Sequence, residues 1–294
     1  MLATILCALL VVCAASDNQV ETKEPRQITI LYDAFGKERG LTKDWGYSAF
    51  IEYGDKRVLF DTGNNPEIFG RNAALLNVDL RRLDACVISH RHGDHTSGLS
   101  HLLAVNPRVK IYAPQEAGYF EGSMPRAFLT PHTALPEELR YFDGKQPERF
   151  ATGNPWPKAD FQTVSGPREI LPGFLVFPTK SEKTGTLEMN EIALAIRTPQ
   201  GLAVVVGCSH PGIENILRQA AKLDARLYSV VGGFHLVLVE ENEIRRVAQV
   251  LDEELKVRRV APGHCTSELG FAVFLSVFGD RFDRAGLGSV VPLP

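Results

Sequence analysis

The chain has 294 residues, 44% of them hydrophobic and 23% charged, with a formal net charge of −3. This length and apolar content suffice for the core of one large α/β or sandwich domain. The charge balance gives no reason to expect nucleic-acid binding, which usually needs a basic patch.

Residues 2–15 are almost wholly apolar and end in Cys13-Ala14-Ala15-Ser16, with Asp17-Asn18-Gln19 beyond. The run is too short to span a bilayer comfortably, so no stable membrane span is expected, but it fits the apolar part of a secretory signal over 1–16. A periplasmic or secreted protein is therefore expected. The α-amino group is its one positive charge, so a mis-assigned start is the alternative. Cys13 would be a lipid-attachment cysteine only if the bulky Val12 were tolerated before it. Beyond this leader stand Cys86, Cys208 and Cys265, an odd set too widely spaced for a disulfide framework. Cys86, inside an apolar run, reads as a small core residue.

Residues 27–32 read as a first strand, and 47–53 and 57–60 as a pair joined by the turn Gly54-Asp55-Lys56. A helix is expected over 66–76 and a strand over 82–89. A short helix follows over 98–105, then a strand over 109–112. From 114 to 172 the periodicity fades into a stretch rich in Pro, Gly and aromatics, including Tyr119, Phe128, Tyr141 and Trp156. It reads either as a cap over the site or as loop padding. Strands are expected over 174–177, 191–197 and 202–206, then a helix over 212–223. A strand over 227–231, a helix over 242–255 and a strand over 257–260 complete the pattern. Early strand pairs with strand–helix alternation in each half suggest two sheets flanked by helices, one domain over 27–280.

Three of eight histidines lie within six residues, in Ser89-His90-Arg91-His92-Gly93-Asp94-His95-Thr96. The H-x-H-x-D-H string combines imidazoles, which suit zinc, with a carboxylate that adds a hard oxygen donor. At a strand's end His90 and His92 would point the same way, and Gly93 permits a turn into a helix starting near Thr96. Two further histidines end expected strands: His210 after Val206-Gly207-Cys208-Ser209, and His264 after Ala261-Pro262-Gly263. His235, in Gly232-Gly233-Phe234-His235-Leu236, also follows a strand. His101 and His132 read as surface or packing residues.

Together with Asp61-Thr62-Gly63 and the late Gly263-His264, the string resembles the metallo-β-lactamase superfamily over about residues 27 to 270. Asp44-Trp45-Gly46-Tyr47-Ser48, Gly207-Cys208-Ser209-His210-Pro211-Gly212-Ile213, Gly232-Gly233-Phe234-His235-Leu236 and His264-Cys265-Thr266 look like one branch of it. That branch is named for an archaeal ribofuranosyl-aminobenzene-phosphate (dihydropterin) synthase. The resemblance implies an αββα sandwich with metals at one edge, between the sheets. It implies that His90 and His92 hold one metal, and Asp94, His95 and His264 a second. Most members supply a separate histidine and then a bridging Asp. Here Gly207-Cys208 stands at that place, with His210 two residues on; His210 is assigned to the first metal, the alternative being a hydrogen bond that orders the loop. Cys208 is either a thiolate ligand or a small buried residue, and Glu191 is a weaker candidate for the missing ligand.

A site of this kind would activate a water near neutral pH, with Asp94 binding metal and orienting the nucleophile. Asp61 would hold a ligand histidine or the loop by hydrogen bonds. His235 would contact substrate or serve structure. One or two zinc ions are expected, with iron the rival. The leading expectation is a hydrolase of a small ester, lactone or phosphoester. The alternatives are a synthase or transferase like the branch's namesake, whose cytosolic intermediates an exported chain would not meet, and a metal- or ligand-binding protein without turnover.

Overall fold

Residues Gly201–Val206 are buried at every position, yet in two directions. Leu202, Val204 and Val206 enter one apolar cluster, while Ala203 and Val205 enter another. A strand's period of two sends successive side chains to opposite faces, so an unbroken apolar run is what a strand covered on both sides requires. Lys56–Phe60 behaves alike, with Val58 and Phe60 in one cluster and Leu59 in another.

A computed structural model of the chain describes residues 24–36, 40–116, 118–126, 129, 132–182 and 189–294. The predicted leader, Cys13 and Phe128 lie outside these residues. The elements, in order, are β1 (Arg26–Tyr32), β2 (Ser48–Tyr53), β3 (Lys56–Phe60), α1 (Pro66–Leu75), β4 (Ala85–Val87), α2 (Gly93–Thr96), α3 (Leu99–Val105) and β5 (Lys110–Pro114). Then come β6 (Ser123–Pro125), β7 (Arg149–Ala151), β8 (Asp160–Val164), β9 (Arg168–Leu171), β10 (Phe174–Ser181), β11 (Met189–Thr198) and β12 (Gly201–Val206). The chain closes with α4 (Ile213–Ala220), β13 (Leu227–Gly233), α5 (Glu241–Gln249), β14 (Arg259–Gly263), α6 (Glu268–Phe278) and β15 (Val290–Pro292).

One sheet runs β15-β1-β2-β3-β4-β5-β8 and the other β14-β13-β12-β11-β10-β9. Ile28, Ile51 and Phe60 meet Val176, Leu194 and Val205 between them. Phe69 of α1 and Leu102 of α3 cover the outer face of the first sheet. Ile216 of α4, Ile244 of α5 and Phe274 of α6 cover that of the second. The layers are αββα, as expected. Among the described residues no helix is long and apolar enough to cross a membrane.

Local chemistry explains several boundaries. Pro66 opens α1, where a missing N–H costs nothing, and the Asn65 side chain accepts from the N–H groups of Glu67 and Ile68. The strand expected over 82–89 shrinks to β4, because Asp79 caps a tight turn over 80–82 by accepting from Arg81 N. The helix expected near Thr96 begins at Gly93, so Asp94 and His95 stand in its first turn.

The largest departure lies in the region expected to be irregular from 114 to 172. Its last third is β8, parallel to β5 in the first sheet, and β9, paired to β10 in the second. The rest carries the small hairpin β6–β7. Phe120 is buried in the outer core of the first sheet, its ring 5.3 Å from that of Phe161, and Tyr119 and Trp156 pack beside them. These aromatics extend a core.

Candidate metal centre

The parallel strands β3, β4, β12, β13 and β14 all deliver their C-terminal ends to one edge of the sandwich. That edge receives Asp61, the segment 89–95, the segment 207–210, His235 and His264. Two groups of donors form there. Ligand atoms of His90, His92 and His210 lie within 4.8 Å of one another, as do those of Asp94, His95 and His264. The His90 and His95 rings, one from each group, have centroids 4.2 Å apart. Cys208 stands between the groups, its Sγ 3.2 Å from His95 Nε2 and grouped with His90 and His95.

Hydrogen bonds fix which ring nitrogen His90, His95 and His210 present. Asp61, fully buried at the end of β3, accepts from Ser89 N at 2.7 Å with Oδ1 and from Ser89 Oγ at 2.7 Å with Oδ2. Since the Ser89 hydroxyl proton goes to Asp61, its oxygen accepts from His90 Nδ1, 2.8 Å away. Asp61 Oδ2 also accepts from His95 Nδ1 at 2.7 Å. Both rings thus turn Nε2 into the cluster, and His90 Nε2 is buried with no hydrogen-bond partner. An orphaned, inward-facing imidazole lone pair is the donor a divalent metal takes.

Glu191 does the same for His210. This carboxylate, 1% exposed on β11, accepts from Cys208 N and Ser209 N with Oε1, and from His210 N and Nδ1 with Oε2. It lies behind His210 and joins neither donor group, so its candidacy as the missing ligand is corrected: its oxygens are spent holding the loop.

Charge follows the same plan. Burial, then the neighbouring imidazoles, hold His90 well below the ordinary histidine pKa, and burial pushes His264 down to about 4. Burial also disfavours charge on His95, but the Asp61 carboxylate outweighs it and lifts His95 to about 9. Burial would raise Asp94; hydrogen bonding to His264 and the charge of His95 overcome it and hold the carboxyl below the usual range. Asp61 and Asp94 thus draw positive charge to this place, whether as proton or metal.

The backbone is strained to make the approach. Asp61, Ser209, His235 and His264 have φ of 56°, 64°, 51° and 46°, a region costly to non-glycine residues that persists where surrounding contacts over-determine it. Gly207 contributes by leaving room, since a Cβ there would lie 2.1 Å from Ser89 Oγ and 3.0 Å from Asp61 Oδ2.

Of the remaining expectations, His235 stands with its ring 4.4 Å from that of His210, in a group with Cys208 and Cys265. His101 packs against Phe69 on the outer face, and His132 lies in the 114–159 region beside Leu139 and Tyr141. Sequence reasoning missed Ser89, Glu191's cradle and Asp33, whose Oδ2 accepts from His264 N at 2.9 Å. All three are polar residues within or ending apolar strands, which was the available signal. A cleft of about 680 Å³ is lined by Arg91, which precedes His92 in the sequence, and by Glu116, Tyr119, Met124, Thr152 and Lys180. Arg91 Nη1 lies 2.7 and 2.8 Å from the two Glu116 oxygens.

The family model for the metallo-beta-lactamase superfamily matches residues 43–232. The chain is 28% identical over 298 residues to the 7,8-dihydropterin-6-methyl-4-(beta-D-ribofuranosyl)-aminobenzene-5'-phosphate synthase of Methanocaldococcus jannaschii, covering 90% of this chain and 95% of that protein. An uncharacterised protein of the same archaeon is 30% identical over 75% of this chain and 83% of its own length. Among solved structures, Tm1679, a metal-dependent hydrolase of the beta-lactamase superfamily, superposes with a TM-score of 0.68 at 26% identity, covering 91% of this chain and 99% of its own. With the αββα layers and both donor groups at one edge, these likenesses make the chain a member of the metallo-beta-lactamase superfamily.

Proposed function

We propose that the chain is a metal-dependent hydrolase of small esters, lactones or phosphoesters, using zinc. The observation that supports this most is the pair of donor groups sharing one edge, with Nδ1 of His90, His95 and His210 held by hydrogen bonds that leave Nε2 as the ring atom turned to the cluster. His90, His92 and His210 would hold one ion, and Asp94, His95 and His264 a second, with Cys208 placed to donate to either. When bound, the metal would lower the pKa of a water to about 7 and polarise the oxygen that gains charge. Asp94 is the one carboxylate among these donors and would orient that nucleophile. Asp61 and Glu191 keep the imidazoles in the competent tautomer. Arg91 and Lys180, beside the Tyr119 and Met124 wall, would take the portion of substrate away from the reacting bond.

A synthase is the second reading, favoured by the relative matched along 95% of its length. Metal analysis of purified protein, then a panel of chromogenic esters, lactones and phosphodiesters, separates the two. Turnover lost together with metal in His92→Ala is the expected result. Product from a dihydropterin and a phosphorylated ribosyl-arene, with no hydrolysis of the panel, would replace the first reading by the second. Full metal with neither activity would leave a binding protein. We also read residues 1–16 as an export signal, which sequencing of the mature N-terminus tests.

A further inference from the structure

Cys208 follows β12 and Cys265 follows β14, and β13 lies between these strands. Neighbouring strands sit about 4.8 Å apart, so the two strand ends are separated by about twice that. The sulfurs nevertheless come within 4.8 Å of each other, as does a ring nitrogen of His235. Cys265 Sγ lies over the end of β13, at Gly233. A Cβ on Gly233 would stand 2.8 Å from Cys265 Sγ and 2.5 Å from Gly207 O, so the bare glycine leaves room for that sulfur. Cys265 Sγ donates to Cys208 O at 3.5 Å, holding the second sulfur over the backbone of the first. Both side chains are buried, and Cys86, the other described cysteine, is buried separately within the first sheet.

We propose that Cys208 and Cys265 form an oxidisable dithiol, a modification site whose disulfide withdraws the Cys208 sulfur from the metal centre. A small peroxide is the co-reactant: the two thiols lose two protons and two electrons, an S–S bond forms, the O–O bond of hydrogen peroxide breaks, and two waters leave. A disulfide needs its sulfurs about 2.05 Å apart. A sulfur so bonded is no longer available as a thiolate, so the Cys208 Sγ, 3.2 Å from His95 Nε2, is lost as a donor whichever side chain moves. Reduction by a dithiol reverses the step and returns the donor.

Intact-mass analysis and peptide mapping of the whole protein after hydrogen peroxide treatment test this, with metal release followed by a chromogenic chelator. The release arm rests on the proposed metal centre; the thiol chemistry does not. The expected result is loss of two hydrogens, mapped to a 208–265 cross-link, with metal released in parallel and both reversed by dithiothreitol. Cys86→Ser should behave as wild type, and Cys265→Ser should form no cross-link while binding metal when reduced. Oxygen addition at Cys208 that is the same in wild type and Cys265→Ser, or no change in mass, would overturn the proposal. A cross-link in protein that never bound metal would sustain the dithiol and remove the metal reading instead.

Discussion

Glu191 Oε2 accepts from both the backbone N–H and the ring Nδ1 of His210, at 2.9 and 3.0 Å. One buried carboxylate thus sets the place of a histidine and the direction of its free lone pair. Burial would raise the Glu191 pKa, but the bonds from His210 and the loop amides hold it low, so the group is charged. Replacing it with alanine orphans two further amides, Cys208 N and Ser209 N. Glu191→Ala is expected to cost several kcal/mol, since each buried donor left unsatisfied costs about 1–3 kcal/mol, read as a shifted denaturant midpoint. Glu191→Gln, which keeps the shape, should cost less. Equal, small effects of both would show that the loop holds without the charge.

Asp61→Asn probes the tautomer argument. Asparagine has one acceptor oxygen and an NH2 group where the carboxylate met three donors: Ser89 N, Ser89 Oγ and His95 Nδ1. Either Ser89 N or the Ser89 hydroxyl and His95 must then face a donor. Metal affinity is expected to fall about 10–100-fold, the usual consequence of losing a group that orients a ligand, with the fold retained. A competition titration with a chromogenic chelator measures it, and unchanged affinity would contradict the role given to Asp61.

Gly207→Ala tests packing at the same place. The added methyl meets Ser89 Oγ, which cannot retreat without leaving Asp61 and His90. Overpacking of this kind costs about 1–3 kcal/mol, visible as a lower melting temperature. A variant as stable as the parent would mean that Ser89 is not fixed as described.

The histidines also set a pH dependence. His90 and His264 have pKa values depressed by burial, the latter to about 4, against about 6.5 when unfolded. They bind fewer protons folded than unfolded, so their contribution is lost as pH falls through about 6.5 toward 4. His95 runs oppositely: raised to about 9, its contribution is full below about 6.5 and fades as pH rises toward 9. Between pH 6.5 and 5 the metal-free protein is therefore expected to lose stability, and metal affinity should fall over the same range as protons compete for imidazole. Urea midpoints at pH 7 and pH 5 check the first; a midpoint no lower at pH 5 would contradict the neutral, buried assignment.

Much of this was legible from local pattern. The H-x-H-x-D-H string carries its chemistry within six residues, and Gly207-Cys208 and Gly263-His264 each close an apolar run. Strands such as β12, apolar at each position after Gly201, could be read directly. β8 and β9 could not, because they are edge strands, partly exposed and without a clean alternation. Glu191 looked like a ligand because a carboxylate near imidazoles has two uses. Only the fold shows its oxygens turned to the amides of 208–210. Ser89 and Asp33 escaped notice since a hydroxyl or carboxyl at a strand's end is ordinary until its partner from a distant segment is known.

All the donors crowd onto one rim, and that has a practical side. The reverse turns at 54–55, 172–173 and 199–200 sit on the far rim, since β2, β9 and β11 each run away from the histidines before turning back. A fluorophore, affinity tag or surface tether fixed at those hairpin tips would sit a full strand length from the chemistry. They are the natural handles for immobilising or labelling this protein.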